Sequence, residues 1–170
     1  MISISFIIPS FNSPSSTIKT INSIEKSFSK LSLKYKYDVI IVDDYSSIKN
    51  FKIMELNCKK IKNKNKVKII KNKKNLGFAL SCLVGVKKSK NDYVKIMHAG
   101  DIEKSKDLRN YLLLINRDLV LLSYPHENCR RSVIRKFISN FCSQIIKVIS
   151  GINIDYFQSP ILCKKSDFIK

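Results

Sequence analysis

Two adjacent carboxylates, Asp43 and Asp44, close the continuously apolar run Val39-Ile40-Ile41-Val42. Held side by side they repel each other and lose hydration, so a fold that keeps them gives them partners or a task. The competing reading of Asp43-Asp44-Tyr45-Ser46-Ser47 is helix capping by Asp44 or Ser46. Pro9-Ser10-Phe11-Asn12 follows another apolar run and reads as a turn in which Pro9 stops the strand and Asn or Ser caps the next helix. A third segment, Asn75-Leu76-Gly77-Phe78-Ala79, carries Gly85 eight residues beyond Gly77. By itself it is a turn into a helix that packs closely through a glycine.

The elements that must position these residues alternate. Strands are expected over Ile2–Ile8, Asp38–Val42, Lys66–Ile70, Tyr93–Met97 and Asp118–Ser123, the second buried on both faces. Helical spacing appears in Ile18, Ile21, Ile24 and Phe28 behind Ser15-Ser16-Thr17, in Leu80, Leu83, Val84 and Val86 after Gly77, and in Leu108, Tyr111, Leu112 and Ile115. A longer helix with a wide apolar face spans Ser132–Ser150, with Arg130, Arg131, Arg135, Lys136 and Lys147 supplying charge. Strand–helix alternation predicts an α/β fold, a mostly parallel sheet of six to seven strands with helices on both faces in three layers. Ligands of such sheets bind outside the carboxyl ends of the strands. Functional residues are therefore expected just after Ile8, Val42, Met97 and Ser123.

Composition narrows the classes. The 170 residues are 44% hydrophobic with nine Phe and seven Tyr, enough for one domain with a real core. Five scattered cysteines without a C-x-x-C pair support neither a zinc knuckle nor a disulfide framework and read as reduced packing residues. The opening Ile2–Ile8 has no basic leader and meets Pro9 after seven residues, and no apolar run approaches the roughly 20 residues of a spanning helix, so a cytoplasmic protein is expected. The net charge of +19 favours phosphate-bearing partners, although a Lys-, Ile- and Asn-rich chain is also what an AT-biased genome encodes. Nucleic acid is not the expected partner, because an aromatic-basic RNA motif, a zinc signature and a recognition helix are all missing.

Taken together, "ISFIIPSFN", "YDVIIVDDYSS", "KIIKNKKNLGFA" and "NDYVKIMHAGD" resemble, in order and spacing, the family 2 glycosyltransferases of the GT-A fold. The resemblance implies a transferase that takes a nucleoside diphosphate sugar as donor. It implies that Pro9, Phe11 and Asn12 line the base and ribose pocket, that Asp43 accepts a hydrogen bond from the base, and that Asp44 orders the loop, with Asn75, Gly77 and His98 completing the nucleotide-sugar site. The family commonly has Asp-x-Asp at the next strand end, where this chain reads His98-Ala99-Gly100-Asp101-Ile102-Glu103. Asp101 and Glu103 are the implied ligands of a divalent metal (Mg2+ or Mn2+), hard carboxylate oxygens that neutralise departing phosphates. His98 is then a ligand or proton contact, or simply a packed residue.

Arg130-Arg131-Ser132, the apolar helix and Gly151–Phe157 resemble the dolichol- and polyprenyl-phosphate sugar synthases within that family. That implies a polyprenyl phosphate or glycan acceptor and peripheral contact with the inner face of an anionic membrane. Arg130, Arg131 and Arg135 would bind the acceptor phosphate or the donor diphosphate, since the guanidinium fork grips phosphate bidentately, with Arg131 and Asp101 in catalytic positions. A solvated basic helix start is the alternative for the arginines. The expected organisation is one domain over 1–170, with 1–103 holding the nucleotide sugar and 104–170 the acceptor. The altered acidic motif keeps a second reading open, a nucleotide-sugar-binding relic of the same fold without catalysis.

Overall fold

The computed structural model describes residues 2–29, 35–100, 105–115, 119–121, 132–151 and 161–169. The elements are β1 (Ile2–Ser10), α1 (Pro14–Phe28), β2 (Tyr35–Asp43), α2 (Ile48–Lys59), β3 (Val67–Lys71), α3 (Phe78–Lys88), β4 (Tyr93–Ile96), α4 (Ser105–Leu112), β5 (Leu119–Leu121), α5 (Val133–Ser150), β6 (Ile161–Lys164) and α6 (Lys165–Ile169). They form a six-stranded sheet in the order β3-β2-β1-β4-β6-β5. β1 to β4 run parallel, and β6 pairs antiparallel with β4. The α/β fold with a mostly parallel sheet is the one the alternation predicts. Compact units are Met1–Val120 with Ile161–Lys170, and Leu121–Pro160.

In the larger unit the sheet centre is mostly apolar on both faces, with Ser5 of β1 and Lys95 of β4 also fully buried. β1 and β2 pair over their full length, from Ile2 opposite Tyr35 to Ser10 opposite Asp43. One face of the sheet joins Ile7, Ile40, Val42, Val94 and Ile96 to Cys82 and Val86 of α3 and Cys163 of β6. On the other, Phe6 meets Phe28 of α1 edge-on at 5.7 Å, and Tyr37 at 6.2 Å. Each fully buried isoleucine in such a core contributes about 1.5–3 kcal/mol.

Pro9 does not stop β1, as its sequence context suggested; the strand continues through it to Ser10. The reason is where the ladder needs donors. Ile7 turns its carbonyl toward β4, accepting from Met97 N–H at 2.8 Å, and Ile7 opposite Ile96 is the last β1–β4 pair. Pro9, two residues on, faces the same side, where the neighbouring strand has ended, so its missing N–H breaks no bond. Ser10 faces β2 and its carbonyl accepts from Asp44 N–H at 2.8 Å.

α3 packs against β1 and β2 through Gly85. A Cβ there would overlap Ile7 Cγ2 and stand 3.1 Å from Val42 Cγ2. Since both partners are fixed in central strands, Gly85→Ala is expected to destabilise the fold by about 1–3 kcal/mol, read as a lower urea midpoint. Cys58, Cys82 and Cys163 are buried, and burial raises their thiols to about 11, 12 and 11. Their disulfide-exchange reactivity at pH 8 is expected to be negligible in the native protein and to appear on unfolding, with Cys142 of α5, which is exposed, reacting first among the described thiols.

Three of these elements, α2, β6 and the five-residue α6, lie outside the sequence expectation. α2 buries only Met54 and Cys58, while Ile48 and Leu56 are exposed, so its apolar residues draw no stripe. β6 is four residues long, too short to stand out.

In the smaller unit, α5 ends at Gly151, whose φ of 68° and N–H bond to Lys147 O stop the helix in a conformation glycine adopts without strain. Val133, Ile134, Phe137, Ile138, Phe141, Val148 and Ile149 on it are exposed. No helix among the described residues is long and apolar enough to cross a membrane.

Candidate functional site

Because β1 to β4 are parallel, their carboxyl ends share one edge of the sheet, and the loops leaving them carry most of the residues singled out from the sequence. Asn12 joins the first two loops. Its N–H donates to Ser46 Oγ at 2.9 Å, and its Oδ1 accepts from Ser47 N–H at 2.9 Å and Asn50 Nδ2 at 3.0 Å. It does so at φ 49°, in the left-handed region, which asparagine tolerates better than most residues. Ser47, not Asp44 or Ser46, caps α2, accepting from Asn50 N–H at 3.3 Å. The other two side chains are engaged elsewhere, which overturns the capping alternative.

Asp43 is the last residue of β2 and is fully buried. Its Oδ2 accepts from Ser46 N–H at 3.2 Å, while its Oδ1 has no partner among the described residues. A buried carboxylate oxygen without a donor is costly, and such orphans in folded proteins call for an explanation such as an absent ligand.

Asp44 is equally enclosed but fully used. It accepts from Leu76 N–H at 2.8 Å, Gly77 N–H at 2.8 Å and Asn72 Nδ2 at 2.9 Å, so one carboxylate holds the whole β3–α3 loop. Burial alone would raise its pKa; the hydrogen bonds from Leu76, Asn72, Ser81 and Gly77 outweigh it and leave the pKa below the ordinary carboxylate value. Gly77 sits at φ 80°, and Asn75 Oδ1 accepts from its N–H at 3.1 Å. Asn72, buried between Asp44 and Ser81 Oγ, was not singled out from the sequence. Its only advance signal was a second asparagine ahead of the Asn75–Gly77 turn.

At the end of β4 the ring of His98 stacks on Phe78 of α3, 4.8 Å between centroids and 7° from parallel. Burial lowers the imidazole pKa, and the charge of Lys95 lowers it further, so His98 is neutral at pH 7. Thr20 of α1 anchors this strand end, donating to His98 O at 3.0 Å and accepting from Gly100 N–H at 3.2 Å.

The structure therefore places Phe11, Asn12, Asp43, Asp44, Asn75, Gly77 and His98 along one edge, with Pro9 buried inside β1 beside them. Asp101, Glu103, Arg130 and Arg131 lie outside the described residues, and Arg135 lies on α5 with its side chain outside them. Among the described residues no group of three or more His, Cys, Asp or Glu side chains could hold a metal ion.

The sequence matches the family described as Glycosyl transferase family 2 over residues 5–166. No curated protein matches it. Among solved structures, S. aureus TarS 1–349 is similar at 22% identity with a TM-score of 0.60, over 77% of this chain and 38% of that one. Glucosyl-3-phosphoglycerate synthase from Mycobacterium tuberculosis, in complex with Mn2+, UDP and phosphoglyceric acid, is similar at 12% identity and TM-score 0.65, over 96% of this chain and 56% of that one. The mannosyltransferase PcManGT from Pyrobaculum calidifontis, in complex with GDP-Man and Mn2+, is similar at 11% identity and TM-score 0.64, over 95% and 44%. At these identities the likeness is one of fold, and this chain spans 38% to 56% of the length of those structures.

Proposed function

Because this chain belongs to glycosyl transferase family 2, we propose that it binds a nucleoside diphosphate sugar at the carboxyl edge of its sheet and passes the sugar to a polyprenyl phosphate. The observation that carries the reading is Asp43, fully buried with Oδ1 unpartnered where the β1–α1 and β2–α2 loops are bonded together. That oxygen is an acceptor for an N–H on the edge of a base. Phe11 and Asn12 stand on the adjoining loop, and Asp44 fixes the turn carrying Asn75 and Gly77.

In the reaction an acceptor phosphate oxygen attacks the anomeric carbon, and the bond to the diphosphate breaks with its electron pair leaving on the diphosphate. A phosphate acceptor is already an anionic nucleophile, so this chain needs no general base for it. Asp101 and Glu103 are hard oxygen donors that fit Mg2+ or Mn2+, and the neutral imidazole of His98 at the start of the same segment is in its ligating form. Bound there, the cation would neutralise charge on the departing diphosphate. Arg130, Arg131 and Arg135 take the phosphates of acceptor or donor. α5, with exposed apolar residues, Arg135, Lys136 and Lys147 along its length and no acidic residue, suits the interface of an anionic membrane. Mn2+ and nucleoside diphosphates in two structures of this fold support the donor reading.

The test is thermal-shift screening against UDP-, GDP- and CDP-sugars with and without manganese. The expected result is stabilisation by one nucleotide, lost in Asp43→Ala. No stabilisation by any donor would overturn the reading. Stabilisation without release of nucleoside diphosphate, under metal and acceptor, would leave the relic in place of the enzyme.

A further inference from the structure

Tyr45 occupies a backbone conformation that its side chain disfavours. Its φ is 68°, inside the left-handed region where a Cβ crowds the following carbonyl and glycine is the usual occupant. A bulky residue held there marks stored strain, which folds retain where it serves a task. The surrounding protein gains little from the ring. Tyr45 is 56% exposed, and among the described residues its ring meets no other ring and its hydroxyl makes no hydrogen bond.

The backbone that carries the ring is tied to the neighbouring loop. Ser10 O accepts from Asp44 N–H at 2.8 Å, and Asn12 N–H donates to Ser46 Oγ at 2.9 Å. These two bonds bracket residue 11 on one loop and residue 45 on the other. Residues 11 and 45 thus lie on adjacent, tied loops, and Phe11 too is more than half exposed, at 53%, and among the described residues has no ring partner. Two residues before Tyr45 stands Asp43 with its unpartnered buried Oδ1.

We propose that the exposed rings of Tyr45 and Phe11 serve as an aromatic platform for the flat face of the donor's base while Asp43 accepts from the base edge, making Tyr45 a binding residue of the donor site. This rests on the nucleotide-sugar reading and deepens it. Every base has a π-face, so the platform supplies affinity, and the carboxylate supplies discrimination among bases. The strain at Tyr45 is then a stability cost carried for binding, and it gives the proposal a signature that a packing role would not produce.

The experiment uses the 170-residue chain with Tyr45→Gly, Tyr45→Asn and Tyr45→Phe, calorimetric titration with UDP, GDP and pyrophosphate, and thermal unfolding without ligand. Tyr45→Gly and Tyr45→Asn, which relieve or tolerate φ 68°, are expected to raise Tm by about 2–4 °C. The same two variants are expected to bind the preferred nucleotide about tenfold or more weakly, with pyrophosphate affinity unchanged because it has no base. Tyr45→Phe, which keeps the ring, should bind within about twofold of the parent. Undiminished nucleotide affinity in Tyr45→Gly and Tyr45→Asn would overturn the platform while leaving the nucleotide reading intact. So would a fall in both Tm and affinity, which marks Tyr45 as structural. Failure of the parent chain to bind UDP, GDP or, in the same titration, CDP would overturn the donor reading and the platform with it.

Discussion

Asp43→Asn is expected to weaken nucleotide binding by about a hundredfold while leaving Tm unchanged or higher. The substitution keeps one oxygen to accept from Ser46 N–H, the bond now 3.2 Å long, so the β2–α2 loop retains its tie. At the Oδ1 position it puts an NH2 group, which faces the N–H of the base donor to donor. A hydrogen bond to a charged acceptor contributes about 1.5–3 kcal/mol, and leaving a buried donor unmatched costs a similar amount. Removing a buried charge with one unpartnered oxygen should meanwhile relieve the unliganded protein. The two readouts move apart, as titration with UDP and GDP and a melting curve will register. A carboxylate can only accept, so uracil or guanine, which present a ring N–H, should be preferred over cytosine, whose ring nitrogen at that edge is itself an acceptor. Equal affinity in Asp43→Asn would remove Asp43 from the site.

Asp44→Ala is expected to act on stability instead, lowering the free energy of unfolding by about 2–4 kcal/mol. Three short bonds end on that carboxylate, two from backbone N–H groups of the β3–α3 loop and one from the buried Asn72. Alanine leaves Leu76 N–H without its acceptor and takes one of two acceptors from Gly77 N–H, which keeps Asn75 Oδ1, and from Asn72 Nδ2, which keeps Ser81 Oγ. The pH dependence follows from the same bonds. The folded pKa of Asp44 lies below the ordinary value, so its contribution is complete above about pH 4 and is lost as pH falls through the folded pKa. Urea midpoints measured between about pH 2 and pH 7 should fall at the acid end in the parent and fall less in Asp44→Asn. An acid limb unchanged by the substitution would show that Asp44 carries no such linkage.

The sequence made the central strands and most helices legible because their physics is local. Val39-Ile40-Ile41-Val42 is apolar on both faces, as a central parallel strand must be, and Ile21 and Ile24 are buried on the α1 stripe. The end of β1 was not legible, since Pro9 is acceptable only because β4 stops two residues short of it, a fact of sheet stagger that no local window contains. α2 escaped notice because burial of Met54 and Cys58 alone leaves no periodic stripe. At the candidate site the segments could be located at strand ends, but the bonds between them could not. Asn12 reaches Ser46 and Ser47 across more than thirty residues through left-handed backbone at positions 12 and 45. Nothing in residue type alone announces those angles, and a tyrosine at the second argues against them.

The Asn12 contacts also bear on how β1 and β2 find their alignment. Where one strand face is solvated, a one-residue slip exposes apolar side chains and is punished at once. β1 and β2 are apolar on both faces along Ile7-Ile8 and Val39–Val42, so within that stretch a slip by one exchanges isoleucine for valine and these residues alone set the register weakly. The polar loop beyond the strands is less forgiving. Shifted by one residue, Asn12 N–H would meet Tyr45 or Ser47 in place of the Ser46 hydroxyl, and the amide would lose its pair of donors. The loops act as a vernier for the sheet: the correct pairing of two greasy strands is read out, and locked, by an asparagine outside them.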